Sequence, residues 1–269
     1  MAFVPRQARN VIPGWAHPVP SEQSAKRGQN WRVTKEREKG KEMARGNQTK
    51  GACAFCGREM TRSGMARHLD ACPKRKEAVA AAEAKGGTPL PIYHLQVQDA
   101  WGGDYWLHLE MDGNATLECL DQYLRAIWLE CCGHMSRFSV GGWGGEEKDF
   151  EMKALEVFGE VGELTHQYDF GTTSETLIKA RGFRRGMPLA EKPIYLMARN
   201  HQLPILCAEC GEPATHLCFE CLYEEGEEGT LCAKHAASHA HEDYGEPAPL
   251  VNSPRVGMCG YTGPADPPY

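Results

Sequence analysis

The chain has 269 residues, a formal net charge of −6, 41% hydrophobic residues and 12 cysteines. It contains no window of 18 consecutive apolar residues, which argues against a transmembrane helix, and its first residues lack the apolar run of a secretory signal. We therefore expect a cytoplasmic protein whose cysteines are thiols, metal ligands or core residues rather than disulfides.

Charge is segregated along the chain. Residues 1–85 carry 18 Lys and Arg against 8 Asp and Glu, whereas residues 86–269 carry 12 against 28. A basic segment beside an acidic body is typical of chains that bind polyanions, because each Lys or Arg on a phosphate releases condensed counterions. A solvated tail that only keeps the protein soluble is the alternative interpretation of the charge alone.

The first 50 residues are predicted to form a disordered basic arm. They contain four prolines and a mixed-charge run over residues 35–42, and they lack apolar periodicity. Such a composition buries too little apolar surface to fold alone, although a transient helix near residues 33–45 is compatible with it.

Residues 51–86 contain the first group of candidate metal ligands, which is Cys53, Cys56, His68 and Cys72. The C-x2-C turn directs two thiolates at one ion, and a helix that carries His68 and Cys72 four residues apart closes the tetrahedron. Four protein ligands leave no open position, so the predicted zinc is structural. The pattern resembles the C2HC zinc fingers. Ser63 is the predicted helix N-cap, and residues 76–85 are predicted to extend the helix as far as a Gly86-Gly87 hinge.

Six basic residues flank the predicted finger helix: Arg58, Arg62, Arg67, Lys74, Arg75 and Lys76. If the helix entered a major groove, Arg62 and Arg67 would reach base edges. A lone finger has too little surface for tight sequence-specific binding, so we expect weak, salt-sensitive association with DNA or RNA through residues 1–85. Contact with a protein partner is the competing use of a single finger.

Residues 88–204 are the only stretch with enough hydrophobic patterning for a large core. The apolar spacing favours an α+β domain in which a mixed or antiparallel sheet carries one main helix. Thr116 or Asn114 is the predicted N-cap of that helix. The predicted strands are Pro91–Asp99, Asp104–Asp112, Arg137–Val140, Phe150–Met152, Leu164–Phe170, Glu175–Gly182 and Ile194–Ala198, and the predicted helix is Ala115–Glu130.

Residues 205–245 contain eight further candidate ligands within 35 residues, which suffices for two closed tetrahedral zinc sites. The spacing resembles a B-box-type cross-brace. That resemblance implies one ion held by Cys207, Cys210, Cys232 and His235, and another held by Cys218, Cys221, His239 and His241. The alternatives are a treble-clef or sequential pairing, or the replacement of one histidine by Cys259 from the Pro-rich tail at residues 246–269.

Three smaller features of the central segment have structural interpretations. We interpret Cys131 and Cys132 as buried thiols beside Gly133, which ends the main helix, in preference to a third metal site. The segment Asp169-Phe170-Gly171 is predicted to end a strand and begin a turn. The side chains of Trp101, Trp106, Trp128 and Trp143 are predicted to pack in the core or at its rim.

Several short motifs of the central segment and the tail resemble the plasmid pRiA4b ORF-3-like family. They are Tyr93–Leu95, Leu120–Glu130, Cys131–Ser136, Gln167–Gly171 and Val251–Tyr261. The resemblance covers residues 90–262 and implies an α+β domain from bacterial and mobile-element contexts. It implies no established biochemical activity.

Together these features predict a zinc-binding protein without enzymatic activity that holds about three structural zinc ions. Association with nucleic acid through the arm and the finger is the first hypothesis, a protein–protein adaptor is the second, and no membrane partner is expected. The third hypothesis is an enzyme that uses a central cleft, with His94, His108, His134 or His166 as acid or base. No base, nucleophile and orienting group can be assigned from the sequence.

Overall fold

A computed structural model describes residues 49–130, 132–241 and 243–258 of the chain. The predicted transient helix, nearly all of the predicted arm, and Cys259 lie outside these residues. No helix within the described ranges is both long enough and apolar enough to cross a membrane.

Nine strands form one antiparallel sheet in the order β2-β1-β9-β4-β3-β8-β7-β5-β6. Their bounds are Lys50–Cys53 (β1), Glu59–Thr61 (β2), Leu90–Asp99 (β3), Trp106–Asp112 (β4), Ser136–Val140 (β5), Glu146–Lys148 (β6), Glu163–Tyr168 (β7), Ser174–Gly186 (β8) and Ile194–Asn200 (β9). A second sheet of three short strands, in the order β11-β10-β12, lies near the C-terminus. Its strands are His216–Leu217 (β10), Thr230–Leu231 (β11) and Ala248–Pro249 (β12).

The helices fall into three groups along the chain. Two belong to the finger, two follow the β3–β4 hairpin, and one lies in the C-terminal module with a π-helical turn at Cys221–Glu225. Their bounds are Arg62–Ala71 (α1), Pro73–Ala84 (α2), Leu117–Ile127 (α3), Ala154–Glu160 (α4) and Ala233–Ala236 (α5). Helices together with a large antiparallel sheet agree with the α+β prediction.

The predicted central strands are confirmed to within a few residues, except for Phe150–Met152. On the side away from β7, β5 pairs with Glu146–Lys148, and residues 150–152 form a turn instead of a strand. The carbonyls of Phe150 and Met152 accept hydrogen bonds from the N–H groups of Glu118 and Leu117. This segment therefore satisfies the free N–H groups in the first turn of α3 rather than extending the sheet.

Two local predictions about helices need correction. Helix α1 is capped by Thr61 and not by Ser63, because the Thr61 side chain accepts a hydrogen bond from the N–H of Gly64. Thr116 occupies the N-cap position of α3 as predicted, but its side chain makes no capping hydrogen bond. Helix α4 was not predicted, and it buries Val157 and Phe158 against the same core as α3.

The side chains of β4 point alternately to the two faces of the main sheet, and other elements cover both faces. Leu107, Leu109 and Met111 pack in the large core beneath α3 and α4. Trp106 and His108 point to the opposite face, where they meet the finger. Because side chains alternate across a strand, one short segment supplies both layers of packing.

The finger is continuous with the main sheet. Strand β1 pairs with β9, and Met65 and Leu69 of α1 pack against Trp106 and Met197 of the sheet. The Trp106 indole N–H also donates to the Thr49 hydroxyl, at 3.0 Å. The finger therefore covers the second face of the sheet.

The smaller side-chain predictions have mixed outcomes. Trp106 and Trp128 are fully buried, but Trp101 is 73% exposed in the β3–β4 turn and so does not pack as predicted. Cys132 is exposed rather than buried, while Cys131 lies outside the described residues. Strand β7 ends at Tyr168, and Asp169 has a positive φ of 63°, so the predicted strand end and turn are confirmed.

Candidate metal centres and a polar cleft

The first candidate metal centre joins the end of β1 to both finger helices. Cys53 ends β1, His68 lies on α1 and Cys72 separates α1 from α2. Cys56 lies in the intervening turn, where Gly57 adopts a positive φ of 70°. The Cys56 Sγ and His68 Nε2 atoms are 3.2 Å apart, and one ligand atom from each of the four residues lies within 4.8 Å of the others. The finger residues predicted from spacing are thus brought together.

The second centre is formed by Cys207, Cys210, Cys232 and His235. Cys207 Sγ lies 3.3 Å from His235 Nδ1, and Cys210 Sγ lies 3.9 Å from Cys232 Sγ. Burial opposes ionisation of Cys207, but hydrogen bonds from His235 and from neighbouring backbone N–H groups outweigh it and lower the pKa to about 6. A thiol with such a pKa is ready to serve as a thiolate ligand near neutral pH.

The third centre is formed by Cys218, Cys221, His239 and His241. Cys221 Sγ lies 3.3 Å from His239 Nε2 and 3.2 Å from His241 Nδ1. The other ring nitrogen of His241 lies 3.3 Å from a carboxylate oxygen of Glu225, which orients the ring as outer carboxylates do at metal sites. The eight C-terminal ligands are therefore grouped in the crossed arrangement that the B-box-type resemblance implies. The pair Cys207 and Cys210 is completed by Cys232 and His235, and the pair Cys218 and Cys221 is completed by His239 and His241.

The spacing within the three clusters fits a tetrahedral ion. Zinc binds sulfur at about 2.3 Å and histidine nitrogen at about 2.0 Å, so ligand atoms in a tetrahedron are roughly 3.3–3.8 Å apart. The sulfur–nitrogen distances of 3.2–3.8 Å and the sulfur–sulfur distance of 3.9 Å agree with this expectation. Each cluster supplies four candidate protein ligands, which is the number that a tetrahedral ion binds. All ten cysteines in the described ranges are free of disulfides.

The C-terminal module is anchored to the central domain by the chain that follows it. Leu217 and Leu222 of the module share a cluster with Leu129 of the domain and with Val251 and Val256 of the tail. The hydroxyl of Ser253 donates to the carbonyl of Trp128. The tail therefore packs between the module and the end of α3.

A buried arginine of the tail completes this anchor. Arg255 is only 1% exposed, and its guanidinium donates to Asp169 Oδ2 at 3.1 Å and to the Thr172 carbonyl at 2.6 Å. The guanidinium also lies over the Tyr168 ring, 5.1 Å from its centroid. Asp169 meanwhile accepts hydrogen bonds from the N–H groups of Gly171 and Thr172, so its carboxylate holds both the β7–β8 turn and the tail.

The six basic residues predicted to bind nucleic acid divide into two groups. Arg62 donates to the carbonyl of Gly103, and Arg75 lies 3.5 Å from the buried Glu110 carboxylate, so both help to dock the finger on the sheet. Lys74 pairs with Glu77 on the surface of α2. Arg58, Arg67 and Lys76 are exposed, and within the described residues their side chains have no ion-pair or hydrogen-bond partner.

The four histidines considered as acid or base candidates are dispersed. His94 and His108 form a buried pair on the finger side of the sheet, with His94 Nε2 2.8 Å from His108 Nδ1. His108 Nε2 faces the carbonyl of Arg62, so this nitrogen carries the proton and Nδ1 accepts from His94. His166 is fully buried against Asp121, at 2.8 Å, and the exposed His134 lies 3.6 Å from Asp169.

A cleft of about 780 Å³ opens between α3, β5 and the segment that joins β6 to α4. Asp121 of α3 forms its polar floor, where its carboxylate receives hydrogen bonds from Ser136, Arg125 and His166. Burial favours the neutral acid, but these three donors outweigh it and lower the pKa of Asp121. The lining residues are Glu118, Asp121, Arg125, Met135, Ser136, Arg137, Glu147, Phe150, Glu151 and Phe170.

Sequence reasoning raised a central cleft without locating it, and it assigned no role to the buried Arg255 or to the docking carboxylate Glu110. The signals for the last two are weak, because each is a single charged residue and the resemblance of the tail motif that contains Arg255 implies no role for it. The cleft brings together side chains from five separate segments, and a pattern along the sequence does not reveal that convergence.

Comparisons with known proteins add little. No protein-family model and no curated protein matches the chain. One solved structure that resembles it is a protein of unknown function from Methanosarcina mazei Go1, with 17% sequence identity and a TM-score of 0.36. The match covers 59% of this chain and 87% of the other.

Proposed function

We propose that the protein is a zinc-stabilised, non-enzymatic binding protein that associates with nucleic acid, and that it is a member of the pRiA4b ORF-3-like family in a bacterial or mobile-element setting. The observation that carries the proposal is the set of three four-ligand Cys/His clusters, in each of which the four ligand atoms lie within 4.8 Å of one another. Thiolate and imidazole donors in closed sets of four are typical of structural zinc.

The positions of the clusters support an architectural role for zinc. The ligands of the finger centre come from β1, which pairs with β9 in the main sheet, from the turn that follows β1, and from α1 and its end, which pack on the second face of that sheet. The two C-terminal centres hold a module with only a small apolar cluster of its own around Cys218, Cys221 and Leu231. Short units of this kind draw on metal binding for their folding free energy, at roughly 10 kcal/mol or more per site.

The nucleic-acid component rests on charge. Residues 1–85 have an excess of ten positive charges, while the rest of the chain has an excess of sixteen negative charges. Arg58, Arg67 and Lys76 present their charges to solvent on the finger, whereas Arg62 and Arg75 are committed to docking it. Contacts of this kind bind phosphates without reading sequence.

A salt titration of DNA binding tests this component on the full chain. The Arg67→Gln/Lys76→Gln double variant is compared with Lys153→Gln/Arg185→Gln, which removes two exposed positive charges from the central domain instead. We expect the finger variant alone to weaken binding and to reduce the slope of log K against log salt by about two. Equal behaviour of the two variants would argue against the finger as a phosphate-binding surface.

A protein–protein adaptor is the alternative outcome of the same experiment. If the unmodified chain binds neither duplex nor single-stranded nucleic acid at low salt, the nucleic-acid component is wrong while the zinc architecture stands. The zinc-bearing modules would then be the surfaces on which to map a protein partner.

A further inference from the structure

We infer that the cleft between α3 and β5 binds an organic polycation, in which ammonium or guanidinium groups are joined by short apolar chains. A free polyamine and neighbouring basic side chains of a peptide share this chemistry. The inference is independent of nucleic-acid association, because none of the cleft residues belongs to the finger.

The cleft floor is rigid and already neutralised. Asp121 Oδ2 lies 2.7 Å from Arg125 Nε, and Asp121 Oδ1 lies 2.6 Å from Ser136 Oγ. Arg125 also donates to Ser136 Oγ and to the His134 carbonyl. The Asp121–Arg125 pair therefore cancels its own charge and provides a fixed base for a ligand.

The remaining charge of the cleft is negative. With the floor pair cancelled, three carboxylates (Glu118, Glu147 and Glu151) face a single guanidinium, that of Arg137. Glu147 and Glu151 are exposed, and among the described residues neither carboxylate has an ion-pair or hydrogen-bond partner. Carboxylates gathered at one opening without counterions favour a cationic guest.

Arg137 is prevented from neutralising these carboxylates. Its Nε donates to Gln167 at 2.6 Å, its Nη2 donates to the Trp143 carbonyl at 2.6 Å, and its guanidinium stacks on the Trp143 ring at 4.6 Å. The side chain is thus tied to the rim by three contacts. It supports the aromatic wall rather than filling the cleft.

The apolar wall of the cleft distinguishes an organic cation from a bare metal ion. Met135 is 70% exposed and Phe170 is 43% exposed, and both line the cleft together with the half-buried Phe150. Phe170 packs edge-on against Trp143, with ring centroids 5.5 Å apart. Aromatic faces and a thioether beside carboxylates suit alkyl chains that end in a positive charge.

The size of the cleft leaves room for a guest with more than one charged group. A volume of about 780 Å³ lies within the usual range for ligand pockets and greatly exceeds that of one Lys side chain. A chain with several positive groups spans the rim carboxylates while its methylene groups contact Phe170 and Met135.

Isothermal titration calorimetry on the full zinc-loaded chain tests the inference with two probes, spermidine and a capped tetralysine peptide. The Glu147→Gln/Glu151→Gln variant is compared with Glu191→Gln/Glu246→Gln, which removes two exposed carboxylates elsewhere. Phe170→Ala tests the apolar wall. Thermal unfolding of each variant verifies that the fold is retained.

We expect one-to-one binding that the cleft double variant weakens about tenfold or more and the control variant leaves unchanged. Phe170→Ala should weaken binding as well. Binding of spermidine alone identifies a free polyamine as the ligand source, and binding of tetralysine alone identifies a basic peptide. Absence of binding by both probes, or equal binding by the cleft and control variants, overturns the inference.

Discussion

Arg255 Nη2 lies 3.1 Å from Asp169 Oδ2, and this contact joins the tail that follows the C-terminal module to the turn between β7 and β8. Both side chains are almost fully buried. Two of the short motifs on which the family resemblance rests, around Gln167–Gly171 and Val251–Tyr261, therefore meet in space.

Breaking this pair should destabilise the protein strongly. Arg255→Met removes the guanidinium and leaves the Asp169 carboxylate buried without its cation, at a cost of about 3–5 kcal/mol in free energy of unfolding. Asp169→Asn keeps an oxygen for the N–H groups of Gly171 and Thr172. The double variant should therefore be less destabilised than the sum of the two single variants. Urea unfolding of the unmodified protein, the two single variants and the double variant measures the coupling free energy between Arg255 and Asp169.

The control for this cycle is Arg185→Met, an exposed arginine on β8. This substitution should change the free energy of unfolding by no more than about 0.5 kcal/mol. If Arg255→Met behaved like Arg185→Met, the buried pair would not anchor the tail.

Zinc stoichiometry should follow the clusters one by one. The purified chain should contain three zinc ions, one for each cluster, and Cys210→Ser should lose one of them. Cys119→Ser removes a half-buried thiol that belongs to no cluster and should keep all three. Native mass spectrometry measures the counts. Loss of two ions from Cys210→Ser would mean that the two C-terminal centres do not form separately.

Acidification should destabilise the docking of the finger through the His94–His108 pair. Burial, the neighbouring His108 and the guanidiniums of Arg75 and Arg181 lower the pKa of His94 to about 3, and burial together with Arg181 and Arg62 lowers that of His108 to about 4. In the unfolded chain both histidines become protonated as the pH falls through about 6.5, whereas in the native protein the pair stays neutral. Stability is therefore full above about pH 6.5 and falls as the pH drops toward 4, by about 1.4 kcal/mol per pH unit for each histidine.

Urea unfolding between pH 7.5 and 5 measures this dependence, with zinc content followed in parallel so that metal loss is separated from it. His94→Gln keeps a donor for His108 Nδ1 and should reduce the pH slope by about half. His201→Gln changes an exposed histidine and should leave the slope unchanged. If the pH slope of the His94→Gln variant equalled that of the unmodified protein, this pair would not govern the acid sensitivity of the protein.

The metal clusters were accessible from the sequence because their ligands are close along the chain. Cys53 and Cys56 share one turn, and His68 and Cys72 share one face at the end of a helix, so spacing alone encodes the geometry. The β3–β4 and β7–β8 hairpins and α3 were predictable for a similar reason, since their apolar periods are regular over six or more residues.

Contacts between segments that are distant along the chain could not be predicted from spacing or periodicity. Arg255 and Asp169 are 86 residues apart, and neither neighbourhood carries a signal for the other. Strand β1 is four residues long and contains no alternating apolar pattern, yet it pairs with β9 because the finger and the sheet share the packing of Trp106. The sequence was therefore interpreted as a separate finger with a hinge, although its helices serve as the second layer of the central fold.

Under the proposed function, the docking of the finger would make the integrity of the whole molecule depend on the supply of zinc. Without an ion at Cys53, Cys56, His68 and Cys72, only apolar packing and hydrogen bonds would hold α1 over Trp106, Met197 and the neighbouring histidine pair. In a zinc-starved cell the chain would then present an apolar sheet face to chaperones and proteases, and its abundance would follow the availability of the metal.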